Sequence, residues 1–461
     1  MQPTRTGGNQ IEVTLMIQKT QTENIFDMIR EYAARNYYID VEDKIPIFVC
    51  SIGSHLFNVI NKGKFCFSAE QEHSPDYAMR HDIQPIYTPM SRLADTRLHI
   101  LMRGDKGSGK SILIQLFLAE HNGLLYHSEA FSVGKGMKTM MGPNSITEAG
   151  MFGSVDEDGN ITGRPLAQEL CCGFLGFEEF SSISDAGKKD HSVDMKNQLL
   201  TSTDNGRVMK ALKSGWVKYT TLYTLWAGTQ PGRFELESGL DRRMFIIDIE
   251  MSPQKELAYK RAQRKQAQMT NDERIELAEF NMQIREWFLQ RQKTVMQNPP
   301  TGIIFDDKVE EWLERPEVRS FESDLFRRLC IGYTMMREDY TGGVALDVEM
   351  TPELATLLES SLFQRRNVMD SDLMLIKDTF WQQDLSKSQL LKEVERMITN
   401  DYQAAKRWME ENLMGQSWYY EFVPAKEGRG RKGIVCRIGS PPTPQVEERI
   451  SRKIIWGGVA Q

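Results

Sequence analysis

Paired cysteines are missing from this sequence. Six cysteines (Cys50, Cys66, Cys171, Cys172, Cys330 and Cys436) lie scattered along 461 residues with no C-x-x-C among them. Such spacing argues against a zinc knuckle or a disulfide framework and fits a reducing interior. Long apolar runs are missing as well. The longest, residues 45–52 and 98–102, fall far short of the roughly 18 residues that a membrane span needs. The polar start, Met1 to Gly8, leads into no signal-peptide core. The expectation is a soluble, cytoplasmic protein with no membrane partner.

Positive charge is not in excess either: 57 Lys+Arg stand against 64 Asp+Glu, a formal net charge of −7. An acidic total does not suit a surface coated with nucleic-acid contacts, so any basic patch has to be local. Apolar residues at 40% and charged residues at 26% are the balance of an ordinary globular protein. At about 150 residues per domain, the length accommodates two or three domains.

Along the chain, residues 22–36 carry Ile25, Phe26, Met28, Ile29 and Tyr32 at helical spacing. Pro46, Pro75, Pro85 and Pro89 are expected to break up any long element in residues 37–97. From Leu98 to about Glu250, short apolar strands alternate with loops and helices, which predicts a mainly parallel sheet. Residues 252–297 are rich in Gln, Lys, Arg and Glu at helical spacing, and more helix is expected over 306–337 and 352–365. The last stretch reads as three helices followed by two strands. This gives an N-terminal region of unassigned fold (1–97), an α/β core with a helical lid (98–369), a C-terminal domain (370–440) and a tail (441–461).

Two motifs carry chemistry. Gly104-Asp105-Lys106-Gly107-Ser108-Gly109-Lys110-Ser111 matches G-x-x-x-x-G-K-[ST] between a strand and a helix. The glycines let successive backbone N–H groups face phosphate oxygens at a helix N-terminus. Lys110 then reaches the β- and γ-phosphates and the Ser111 hydroxyl ligates Mg²⁺, so ATP with Mg²⁺ is the expected ligand. Such a site also needs carboxylates at the end of a second strand. The apolar run 173–177 followed by Glu178 and Glu179 supplies them, Glu178 on the Mg²⁺ side and Glu179 as general base.

Further residues suggest a family. Residues 147–150 with 155–163, the run into Glu178-Glu179-Phe180, residues 205–215, Ala227-Gly228-Thr229-Gln230 and Leu240-Asp241-Arg242-Arg243 stand in an order and spacing that resembles the ATPase core of the minichromosome-maintenance (MCM) helicases, a branch of the AAA+ ATPases. The resemblance implies two channel hairpins, the second carrying Lys210 on the position that meets the DNA backbone, with Lys213 near its tip. It implies that Gln230 or Thr229 orients the attacking water and that Arg242 is an arginine finger. Such a finger acts on the neighbouring subunit's γ-phosphate, so a ring follows, most simply a homohexamer. A second γ-phosphate sensor is expected among the lid arginines Arg319, Arg327 and Arg328. The sequence departs from the family in having Glu at 178 and Arg243-Met244 after the finger, and the family's N-terminal tier has no counterpart.

The C-terminal domain reads as a winged helix. Residues 403–413, with Lys406 and Arg407, would be the recognition helix, and a wing follows at 426–432 with Arg429, Arg431 and Lys432. Seven Lys/Arg against four acids between 403 and 437 give a local +3 inside a chain of −7. The sequence thus leads to the expectation of an ATP-driven, ring-forming DNA translocase acting in replication, with a loader or other replication proteins as partners. Two alternatives stay open: an initiator or loader ATPase that binds DNA without unwinding it, and an AAA+ remodeller of proteins.

Overall fold

The computed structural model describes residues 24–38, 41–62, 95–104, 107–126, 138–143, 146–156, 161–162, 165–170, 173–180, 191–213, 215–230, 242–249, 252–298, 300, 302–342, 345–399, 401–414, 419–423, 434–439 and 448–449. The chain divides into two units, one comprising Met1–Gln230 with Gly239–Arg365, the other Pro231–Ser238 with Arg366–Gln461.

The first unit begins with helices α1 (Ile25–Arg35) and α2 (Ile45–Lys62), then strand β1 (His99–Arg103) and helix α3 (Lys110–Leu118). Strand β2 (Lys138–Met141), helix α4 (Glu148–Phe152), the hairpin β3 (Ser154–Val155) and β4 (Ile161–Thr162), helix α5 (Leu166–Leu170) and strand β5 (Gly173–Phe177) follow. Helix α6 (His191–Asn205) leads to a second hairpin, β6 (Arg207–Leu212) and β7 (Gly215–Thr220), and then to strands β8 (Thr224–Thr229) and β9 (Met244–Asp248).

Five strands form one sheet in the order β2-β5-β8-β1-β9, and every pairing in it is parallel. This is the mixed α/β architecture, with a parallel sheet, that the alternating pattern predicts. The strands β1, β5 and β8 are buried along their whole length, as parallel strands covered on both faces must be. Their near-continuous apolar sequences follow from that.

The stretch before residue 97 differs from expectation. Helix α2 runs unbroken for 18 residues, because Pro46 sits in its first turn, where a missing N–H costs nothing. The other three prolines lie outside the described residues. The helix is apolar nearly all round and is covered on both sides. Phe48 stacks on Phe117 at 5.6 Å and meets Trp226 edge-on at 4.8 Å. Ser51 donates to the Leu98 carbonyl at 2.6 Å and accepts from the Trp226 indole at 2.8 Å.

On the other side of α2, Gly53 and Gly332 face each other. A methyl group on Gly332 would come 1.8 Å from the Cys50 carbonyl oxygen, so only glycine allows the backbones this close. Cys50 and Cys330 are buried here, and burial pushes the Cys330 thiol up to about 12 and the Cys50 thiol up as well. Both act as inert core residues. Residues 25–57 thus share one hydrophobic core with the sheet, rather than forming a unit of their own.

After β9 come helices α7 (Pro253–Gln268) and α8 (Asn271–Gln297), strand β10 (Ile303–Phe305), helices α9 (Asp307–Leu313) and α10 (Ser320–Met336), strand β11 (Leu346–Val348) and helix α11 (Pro352–Phe380). Ser252 caps α7 and a reciprocal Thr270–Glu273 box caps α8, the local devices that start helices in so polar a stretch.

The second unit holds strand β12 (Gln383–Ser386), helix α12 (Lys387–Val394), helix α13 (Tyr402–Trp408) and strands β13 (Tyr419–Val423), β14 (Val435–Ile438) and β15 (Glu448–Arg449). Each helix continues into a turn of wider π geometry. The sheet order is β12-β14-β13-β15, all antiparallel, over a core that includes Leu390, Val394, Trp408 and Ile438. Strands β12 and β15 go beyond the two strands that the sequence predicts, each being too short and polar to show a period. No helix among the described residues is long and apolar enough to cross a membrane.

Candidate nucleotide site and hairpin pair

The phosphate loop leaves the carboxyl end of β1. Gly107 and Gly109 take φ values of 85° and 96°, the left-handed region where a side chain would be strained. Gly109 caps α3 from that conformation. The Lys110 ammonium donates to the Gly104 carbonyl at 2.6 Å, and Gly104 itself is tied to β8 through its N–H to the Thr229 carbonyl, 3.1 Å. A methyl group on Gly109 would come 1.9 Å from the Tyr259 hydroxyl of α7, so a tyrosine closes over the loop. Asp105 and Lys106 lie outside the described residues.

Two buried hydroxyls at this end of the sheet, Ser108 Oγ and Thr229 Oγ1, have no hydrogen-bond partner among the described residues. Buried polar groups are normally satisfied, so a ligand with several acceptor oxygens fits this place. The residues present therefore suit a nucleoside triphosphate. Among the described residues no group of three or more His, Cys, Asp or Glu could hold a metal on its own. Ser111 and Glu178 are the residues that would hold a Mg²⁺ bound together with phosphate oxygens.

Glu178 and Glu179 follow β5, half-buried. Gln115 Nε2 donates to Glu178 Oε1 at 2.5 Å, and Gln230 Nε2 donates to Glu179 Oε2 at 3.0 Å. Each carboxylate thus has its own amide partner, one from α3 and one from the residue that follows β8. Gln230 stands beside the candidate base. Sequence reasoning missed Gln115, although its place four residues after Ser111 puts both on one face of α3.

Arg242 is exposed in the turn before β9. Because β9 runs parallel to β1, its start lies at the end of the sheet away from the phosphate loop. Five residues of strand rise about 16 Å, so Arg242 is remote from the loop of its own chain. The next residue, Arg243, pairs with Asp204 of α6 at 3.0 Å. The start of β9 is held by Arg365, which donates to the Met244 carbonyl at 3.2 Å and to Glu322 at 2.7 Å. Of the lid arginines, Arg327 pairs with Glu310 at 2.5 Å and Arg328 is buried, donating to the Arg97 carbonyl at 2.9 Å. Arg319 is the exposed one, at the N-terminus of α10.

A buried network that the sequence does not announce fixes α6 to the sheet. Arg97 binds Asp95 with its Nε at 2.8 Å and donates to the carbonyls of Tyr223 at 2.6 Å and Ser202 at 2.9 Å. His99 accepts from the Leu225 N–H at Nδ1, 2.9 Å, and faces the Thr203 carbonyl with Nε2, 3.0 Å. Burial, and then the Arg97 charge, hold its pKa well below the usual histidine range.

Lys210 differs from the channel lysine that the resemblance implies. Its ammonium pairs with Glu148 of α4 and donates to the Gly153 carbonyl at 3.2 Å, and only 12% of the side chain is exposed. The physical reason is that α4 and β3 lie against β7, where Tyr219 also donates to the Phe152 carbonyl at 3.2 Å. The two hairpins are one assembly. Lys213 is exposed at the turn, and Lys406 and Arg407 are exposed on α13. Arg429, Arg431 and Lys432 lie outside the described residues.

No protein-family model and no curated protein sequence matches the chain.

Proposed function

We propose that the chain is an AAA+ ATPase of the MCM-like type, a ring-forming motor that hydrolyses ATP at subunit interfaces and moves along single-stranded DNA. One observation carries this reading above the others: Lys110, the paired-off Glu178 and Glu179, Gln115 and Gln230 converge at the carboxyl ends of β1, β5 and β8. That is where open parallel sheets bind their ligands.

In this reading Lys110 and the loop N–H groups bind the triphosphate. Ser111 and Glu178 hold Mg²⁺, which neutralises charge on the phosphates when bound. Glu179 takes the proton of the attacking water while Gln230 fixes its carboxylate. Arg242, remote from its own loop, serves the neighbouring protomer's site, which makes a homo-oligomeric ring, taken as a hexamer, part of the proposal. Arg319 is the candidate γ-phosphate sensor of the lid. Helices α12 and α13 with their antiparallel sheet suit a winged helix that holds DNA through Lys406 and Arg407, with phosphate contacts that carry little sequence information.

The test is strand displacement from a forked DNA, with Glu179→Gln alongside. The wild type is expected to unwind, and the variant to lose hydrolysis by about 10²–10⁴-fold and unwinding with it. Hydrolysis indifferent to DNA, together with no displacement, overturns the helicase. A DNA-binding loader that does not translocate is the second reading, favoured by the engagement of Lys210 with Glu148. It places DNA binding mainly in residues 385–438, kept when Lys210 is changed.

A further inference from the structure

The hairpin β6–β7 has two faces, because successive side chains of a strand point to opposite sides. Val208, Val217 and Tyr219 are buried on one, and Lys210 on that same side is engaged by Glu148. The other face carries Arg207, Met209, Ala211, Trp216 and Lys218, all exposed. Met209 stands opposite Lys218 and Ala211 opposite Trp216. Trp216 is 63% exposed and Met209 56%.

A single exposed apolar side chain needs no explanation, but a tryptophan set among cations does. Residues 207–220 contain four Lys/Arg and no acid, inside a chain of net charge −7. The inner face is anchored through Lys210 and Tyr219, and the β6 backbone through Gln198, whose amide donates to the Met209 carbonyl at 3.0 Å. The outer face is therefore presented on a fixed support.

We propose that this outer face is a stacking site for single-stranded nucleic acid, with Trp216 taking an unpaired base and Lys213 and Lys218 meeting the adjacent phosphates. Aromatic stacking combined with a cationic track is the chemistry that holds single strands without reading their sequence. Lys210 then serves as the strut that holds the hairpin, and the strand contact passes to Trp216. The proposal rests on the reading of the chain as a DNA motor and names where that motor grips.

The experiment measures anisotropy of a labelled oligothymidylate titrated with the full chain, ATP being replaced by a non-hydrolysable analogue. Trp216→Ala is expected to weaken binding about 10-fold or more, and Trp216→Phe, which keeps a ring, by no more than about 3-fold. Lys218→Ala should lower the slope of log K against log salt by about 0.7, and Lys210→Ala should leave that slope unchanged. Basal ATPase activity of Trp216→Ala stays at the wild-type level, which shows that the variant folds.

Wild-type affinity in Trp216→Ala overturns the site and leaves the motor reading standing. Equal affinity for duplex with the same dependence on Trp216 also overturns it, since a base inside a duplex already has both faces stacked. Loss of assembly in Trp216→Ala would make the face a protein contact instead. A wild-type chain that binds no oligonucleotide at all removes the motor reading and the site together.

Discussion

The phosphate-loop end of the sheet and the pair of hairpins use charged and polar side chains in opposite ways. At the loop, the shape is made by backbone: two glycines at positive φ, and a lysine resting on a carbonyl of its own loop. Polar atoms are left over there, the hydroxyls of Ser108 and Thr229. At the hairpins the inner cation and phenol are already used, and the buried atoms left over belong to the partners around them, Glu148 Oε1 and Gln198 Oε1. Lys210 is engaged by Glu148 and Gly153, and Tyr219 by Phe152. A glycine-shaped turn of backbone N–H groups at a helix N-terminus suits a phosphate ligand, whereas a lysine with a carboxylate partner points to a frame. The same residue type therefore means different things at the two ends.

The contrast can be broken most sharply at Lys110. Lys110→Ala removes the ammonium that the proposed site offers to phosphate, and ATP turnover is expected to fall by about 100-fold or more. Steady-state hydrolysis measures it, and a loss under 10-fold would mean that the loop is not the site of chemistry. The second test is on the frame. Lys210→Met leaves Glu148 largely buried without its partner. The full cost of breaking a buried pair is about 3–5 kcal/mol. The partial exposure of both side chains, 12% and 15%, reduces the expected loss to about 2 kcal/mol. Denaturant unfolding reads it, and adding Glu148→Met should restore most of the loss, as coupled neighbours do. Lys213→Met, by comparison, should change stability by less than about 0.5 kcal/mol. If Lys210→Met proved equally silent, the two lysines would be alike and the strut would fall.

The smallest expected effect concerns the network that ties α6, and hence the hairpin, to the sheet. His99 has a folded pKa well below its unfolded value of about 6.5. With the folded pKa depressed, the native state stays neutral while the unfolded chain takes up a proton below pH about 6.5. Stability is full above that pH and falls on acidification, by up to about 1.4 kcal/mol per pH unit for this one group. Unfolding followed between pH 7.5 and 5.5, compared with His99→Gln, checks the sign. A variant with the wild-type pH dependence would show that His99 is not the group responsible.

Much of the α/β core could be read from the chain. Strand β1, the loop and α3 follow from a motif whose requirements are local, and the apolar run 173–177 with its terminal acids follows from the same logic. Two hairpins, at 154–162 and 207–220, and the strand Thr224–Thr229 that precedes Gln230 are present in the fold. The helix at 45–62 was not legible, because its all-round apolarity comes from being covered on both sides, by the sheet and by α10. Gly53 and Gly332 carry that crossing, and no window of sequence relates two residues so far apart.

By itself the sequence determined what is built from neighbours in the chain: the phosphate loop, the order of strands and hairpins, and the local positive charge of residues 207–220. Only the tertiary structure decided which charges are spent inside the molecule. Glu148 and Lys210, Asp204 and Arg243, and Glu322 and Arg365 are each brought together by packing. A charge is free for a ligand only when nothing opposite lies within a few ångströms, and that is a property of distance in space, to which separation along the chain is no guide.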